Sequence, residues 1–166
     1  LIPIYTRFLL PSEYGTLDLL MIVATVANYL VVLEISQGLA RVYADARTDA
    51  DKRSCVSSAA WFVVASYVVF VVIAQALAPA IATALLDSRQ QTIEIRFMVL
   101  AIAMNGIYYL LLDLLRWQIQ PKRHALASIV SSMVSAGVGT VAVVVADLGV
   151  VGVLAGQIAG ATVGIG

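Results

Sequence analysis

PSEYGTLDLLMIVATVANYLVVLEISQGLARVY, residues 11–43, opens in turn-forming residues, runs apolar for about twenty positions and closes in charge. Crossing ~30 Å of hydrocarbon at ~1.5 Å per residue takes about 20 residues. This stretch therefore predicts a membrane-spanning helix. Toward the far end of the apolar run lies Glu34, followed by Gln37 and Arg41. A carboxylate inside such a segment is costly, which marks Glu34 as a candidate functional position.

The whole chain has the same character. Its 166 residues are 61% hydrophobic and 12% charged, with a mean hydropathy of +0.97. A soluble domain carries about 25% charged residues, so this chain has too little polar surface to cover a water-soluble globule. Ten basic and ten acidic residues cancel, leaving no electrostatic case for a nucleic-acid partner. With one cysteine, Cys55, and one histidine, His124, neither an intrachain disulfide nor a Cys/His metal cluster is available. The chain starts at Leu1 and ends in an apolar, Gly-rich run, so the expectation is a segment of a longer protein.

Taken in order, residues 1–10 read as the tail of a first helix, and Pro11 to Gly15 as a turn. Further helices are expected over 16–42, 56–77, 95–117, 125–146 and 150–166. The expected connections are a charged loop at 44–54, a polar link at 87–91, a basic loop before His124 and a tight turn at Asp147-Leu148-Gly149. Pro79 falls just past the expected end of the 56–77 helix. This is an all-α, polytopic transmembrane bundle of about five spans plus the tail of another. Basic residues set its orientation. Arg41, Arg47, Lys52, Arg53, Arg116, Lys122 and Arg123 flank the loops after the 16–42 and 95–117 helices, against Arg7, Arg89 and Arg96 on the alternate side. The richer side is expected to be cytoplasmic.

Two helices carry polar residues at membrane depth. At about 100° per residue, Glu34, Gln37 and Arg41 share a face with Ala27 and Leu30, and Asn28 lies well off it. On the 95–117 helix, Asn105, Tyr109, Asp113 and Arg116 share another face, with Asp113 and Arg116 spaced to pair. These residues are candidates for lining a hydrated cavity; the competing reading is snorkelling charge near a helix end. Desolvation of Glu34 would suit a proton-coupled step. Gly152, Gly156, Gly160 and Gly164 form a four-residue repeat, and Ser128, Ser131, Ser132, Ser135, Gly137 and Gly139 lie on the preceding helix. Small residues so spaced let helices approach closely in lipid, and packing is the preferred reading. No catalytic constellation is present, and no cofactor is expected. GQIAGATVGIG lies in an apolar helix rather than after a strand, so it is not a phosphate-cradling loop.

The order of LPSEYGTLDLL, a helix closing in QGLARVYAD, LLRWQIQPKRHALASI and LGVVGVLAGQIAGATVG resembles the polysaccharide transporter family. This comprises the O-antigen, teichuronic acid and exopolysaccharide flippases of the multidrug/oligosaccharidyl-lipid/polysaccharide exporter superfamily. The Tyr14-Gly15 turn, the Gly38–Tyr43 helix end and Gly149-Val150-Val151-Gly152 carry most of the likeness. The resemblance implies twelve to fourteen helices in two pseudo-symmetric bundles around an alternating-access cavity, with this chain as the N-terminal bundle. It implies transport of an undecaprenyl-diphosphate-linked oligosaccharide across the bacterial inner membrane. Arg41 and Arg116 are the residues here able to play the family's cationic part toward diphosphate and acidic sugars. Glu34 matches no family motif.

The expected partners are the lipid-linked oligosaccharide, membrane lipids, a coupling proton or sodium ion, and polysaccharide-assembly proteins. A multidrug or peptidoglycan-precursor exporter of the same superfamily is the nearest alternative. A membrane-embedded glycan polymerase or acyltransferase is a more distant one, since no outer loop here exceeds about fifteen residues.

Overall fold

The computed structural model describes residues 10–32, 48–86, 89–117 and 121–165. Residues 1–9 of the expected partial helix over 1–10, and Glu34, Gln37 and Arg41, lie outside them, and Leu10 is not helical. The described chain forms α1 (Pro11–Val32), α2 (Asp49–Leu86), a single 3-10 turn (Arg89–Gln91), α3 (Thr92–Trp117), α4 (Pro121–Val144) and α5 (Gly149–Ile165). Four of these helices are long and apolar enough to cross a membrane, and the seventeen-residue α5 is shorter. The protein is a polytopic membrane helix bundle.

Its helix ends differ from the sequence expectation in ways that local chemistry explains. Pro11 to Gly15 is helical rather than a turn. Proline suits the first helical position, where its missing N–H has no partner to lose. Glu13 Oε2 accepts from the backbone N–H of Leu10 at 2.8 Å, half of a capping box that starts the helix before the expected residue 16. Likewise the second half of the expected 44–54 loop is the first turn of α2. The Thr48 hydroxyl accepts from the Asp51 N–H at 3.1 Å and donates to Asp51 Oδ2 at 2.7 Å, capping the helix. Pro121 opens α4 as Pro11 opens α1, four residues before the expected start.

The largest correction concerns Pro79, expected beyond a helix end and found inside α2. A proline normally interrupts a helix because it removes one backbone hydrogen bond and crowds the preceding turn. In hydrocarbon, breaking the helix would strand several more backbone groups, so the chain continues helical. At 38 residues α2 is about 57 Å long. Its apolar span begins at Ser54, and the charged turn ahead of it extends past the apolar layer.

Helix α3 is the central element: 44% of its apolar window is buried, against 11% for α1 and 17% for α2 and α4. Ile95, Met98, Val99 and Ile102 are buried along it against Leu17 and Leu20 of α1, Val63 and Ala74 of α2, and Val153 and Leu154 of α5. The Gln75 side-chain amide of α2 donates to the Arg96 carbonyl of α3 at 3.1 Å. Outward faces are apolar. Trp61, Val68 and Val72 of α2 and Met133 of α4 are each more than half exposed, large apolar side chains of a kind that lipid covers.

Helices α4 and α5 approach backbone to backbone. A Cβ on Gly156 would meet Gly139 Cα and the Ser135 carbonyl at 2.6 Å, and one on Gly160 would meet the Ser131 carbonyl and Ser135 Cβ at 2.6 Å. Glycine is required at both positions by that approach. The turn between these helices closes through a Leu148 N–H to Ala142 carbonyl bond of 3.1 Å. Asp147 and Gly149 there both have positive φ, 51° and 50°.

Candidate functional site

Faces of α1, α3, α4 and α5 that carry polar residues among apolar ones meet. Together they line a cavity of about 550 Å³. Helix α1 contributes Met21, Thr25 and Asn28, spaced three to four residues apart on one face. Helix α3 contributes Asn105, Tyr108 and Tyr109; α4 contributes Ser128, Ser131, Ser132 and Ser135; α5 contributes Gln157 between Leu154 and Ala161. The α1, α3 and α4 positions lie within helices long and apolar enough to cross a membrane. No charged side chain is among the described residues that line it.

Several polar groups are held in fixed orientation. The Tyr67 hydroxyl of α2 donates to Asn28 Oδ1 of α1. Tyr67 is 1% exposed and reaches Asn28 by lying across Gly106 of α3, where a Cβ would collide with its phenol ring. Asn105 Nδ2 donates to the Ala101 carbonyl one turn back at 2.8 Å, and the Thr25 hydroxyl donates to the Met21 carbonyl at 2.8 Å. The Tyr108 and Tyr109 rings are tilted at 46° with centroids 5.6 Å apart. A Cβ on Gly164 would collide with the Tyr108 ring, which links the end of the α5 glycine strip to the cavity wall.

The candidate residues read from the sequence divide accordingly. Asn105 and its neighbour Tyr109 line the cavity; Asp113 and Arg116 do not. Although spaced to pair, Asp113 and Arg116 form no ion pair with each other among the described residues. Arg116 is exposed and Asp113 partly buried, so exposure leaves the pair little to gain over water. Gly152, Gly156, Gly160 and Gly164 face α4 and Tyr108 rather than open space.

Sequence reasoning missed Asn28, Thr25 and Tyr67 as site residues and read the α4 serines as packing alone. The signal was present in the serine spacing 128, 131, 132, 135, one stripe of a helix. At the opposite end of α3 from Arg116, Glu94 Oε2 is buried without a hydrogen-bond partner among the described residues, and the Glu13 carboxylate is close enough to repel it.

Among the described residues, no group of three His, Cys, Asp or Glu side chains is placed to hold a metal ion. The chemistry on offer is hydrogen bonding and aromatic contact in a water-accessible hollow between apolar helices. Compared with known families, residues 4–165 match the sequence pattern of a family described as "Polysaccharide biosynthesis protein". Comparison with curated proteins and with solved structures returns no match.

Proposed function

The chain belongs to the polysaccharide biosynthesis protein family, and from that premise we propose that it forms part of a flippase for a lipid-linked oligosaccharide. The match covers nearly the whole chain and accords with the likeness to polysaccharide transporters carried by LPSEYGTLDLL and LGVVGVLAGQIAG. In this reading the protein sits in the bacterial cytoplasmic membrane and moves its substrate by alternating access, with an ion gradient as the energy source. It changes no covalent bond.

The observation that supports transport most directly is the cavity lined by amides and hydroxyls between membrane-capable helices. Hydroxyl and amide groups in a bilayer interior are expensive and are kept where they meet water or a substrate. Transporters characteristically hold substrate near the midplane between helices. A flippase also needs a lateral route for the lipid tail, and the apolar outer faces of α2 and α4 are compatible with a lipid running beside the bundle. The family's cationic role falls on Arg116, outside the described cavity, and on Arg41.

The test is reconstitution of the full-length protein in liposomes containing a fluorescent undecaprenyl-diphosphate oligosaccharide. Transport predicts that the outer-leaflet fraction changes with time while glycan length stays constant. Longer glycans would indicate a polymerase instead. No movement above protein-free liposomes, with or without an imposed proton or sodium gradient, would overturn the flippase reading.

A further inference from the structure

The described cavity is uncharged, yet the substrate proposed above carries a diphosphate at one end and a glycan at the other. Which part belongs here follows from the polarity of its fixed groups. Asn28 has its Oδ1 engaged by the Tyr67 hydroxyl, so its Nδ2 is left as a donor. Asn105 has its Nδ2 engaged by the Ala101 carbonyl, so its Oδ1 is left as an acceptor. The Thr25 hydroxyl has spent its proton on the Met21 carbonyl, and its lone pairs accept. Among the amides and hydroxyls fixed by internal hydrogen bonds, the cavity offers one donor and two acceptors, flanked by the Gln157 amide and by serine and tyrosine hydroxyls that can donate or accept.

An anionic group accepts only; the Asn105 and Thr25 acceptors give it nothing, and the described lining residues supply neutral donors but no counter-charge. A diphosphate or uronate would give up its hydration for little. Sugar hydroxyls and acetamido groups both donate and accept, so they exchange water for this lining without a net loss of hydrogen bonds. The cavity wall also carries the exposed ring of Tyr109, whose electron-rich face suits the weakly positive C–H face of a pyranose. The volume, about 550 Å³, lies within the ~300–1,000 Å³ range of small-molecule sites. It holds a short glycan segment rather than a whole lipid-linked oligosaccharide.

We infer that this cavity is a subsite for an uncharged segment of the glycan, read by Asn28 and Asn105, and that anionic groups are handled elsewhere. Tyr67 acts as a positioning residue, setting which end of the Asn28 amide faces the sugar. The inference rests on the glycan-transport reading for the presence of a glycan, but its chemistry is tested independently of transport.

Saturation-transfer NMR on the detergent-purified, full-length protein would compare maltotetraose and N-acetylchitotetraose with tetragalacturonate and inorganic pyrophosphate. At least one neutral tetrasaccharide should receive saturation, and Asn28→Leu and Asn105→Leu should each weaken its binding about fivefold. Tyr67→Phe preserves shape while releasing the Asn28 amide, and should weaken the same probe with an unchanged size-exclusion profile. Binding of tetragalacturonate or pyrophosphate that is sensitive to Asn28 and Asn105 would overturn the inference, as would neutral binding indifferent to all three variants. Neutral binding without transbilayer movement in liposomes would sink the transport reading and leave the subsite standing. Movement combined with Asn-dependent anion binding would do the reverse.

Discussion

The Tyr67 hydroxyl donates to Asn28 Oδ1 across the α1–α2 boundary, and it does so over the bare backbone of Gly106 on α3. Three helices are thus fastened at one point beside the cavity. The phenol ring is among the largest side chains buried in the described core, and its one polar atom is satisfied by an amide that also lines the cavity. Stability and site geometry therefore share a contact.

That contact predicts a specific thermal signature. Tyr67→Phe removes the hydrogen bond and keeps the ring, so the loss should be about 0.5–1.7 kcal/mol, the range for side-chain bonds in membrane helices. A scanning thermal-stability assay in detergent checks this. An unchanged melting temperature would mean that the bond contributes nothing.

Gly106 should tolerate no side chain while Tyr67 is present. Gly106→Ala places a methyl in the phenol ring and should cost about 1–3 kcal/mol as overpacking. In the Tyr67→Ala background the same change should cost much less, because the colliding group is gone. The double-mutant cycle reads this coupling, and additive losses would show that the two residues do not share the space.

On α4 and α5, two glycines should respond in opposite directions. Gly156→Leu drives a side chain into Gly139 and the Ser135 carbonyl, atoms of backbone that cannot swing aside, and monodisperse protein should be lost on size exclusion. Gly137→Ala meets nothing within 4 Å and should stabilise α4 by up to ~1 kcal/mol through helix propensity. Equal tolerance of both changes would rule out the close α4–α5 approach.

Glu94→Gln should raise the melting temperature. The native side chain buries an oxygen without a hydrogen-bond partner among the described residues and faces the Glu13 charge. The neutral amide keeps the shape and removes the repulsion. A loss of stability would instead indicate that the carboxylate is engaged by a cation.

Sidedness is open to chemical labelling. In a Cys55→Ser background, Asp147→Cys and Arg123→Cys lie at opposite ends of α4, and both native residues are exposed. The excess of basic residues flanking the Arg123 side predicts that a membrane-impermeant maleimide labels the Asp147 variant in intact cells. The Arg123 variant should label only after permeabilisation. The reverse pattern would invert the topology.

The helical membrane bundle was legible in the sequence because it depends on quantities that run along the chain. Apolar run length against bilayer thickness identifies the spans, and the spacing of small residues marks faces suited to close approach. Helix ends were less legible. Proline at 11, 79 and 121 reads as interruption in a linear scan, whereas Pro11 and Pro121 take the first helical position, where no hydrogen bond is lost, and hydrocarbon, which penalises unpaired backbone, keeps Pro79 helical.

The cavity belonged to the tertiary structure. Asn105 and Tyr109 stood out by their shared face, but Asn28 lay off the polar stripe read on its own helix, and the α4 serines, though spaced as one stripe, fitted close helix packing equally well. Whether a polar side chain in a membrane helix faces lipid, a neighbour or a hollow depends on how each helix is rotated about its axis. That rotation is set by contacts between residues far apart in sequence, such as Tyr67 against Gly106 and Gly156 against Gly139. Sequence by itself determined that polar groups would be held within the membrane. Only packing decided that an amide from α1, an amide from α3 and the serines of α4 would face one another.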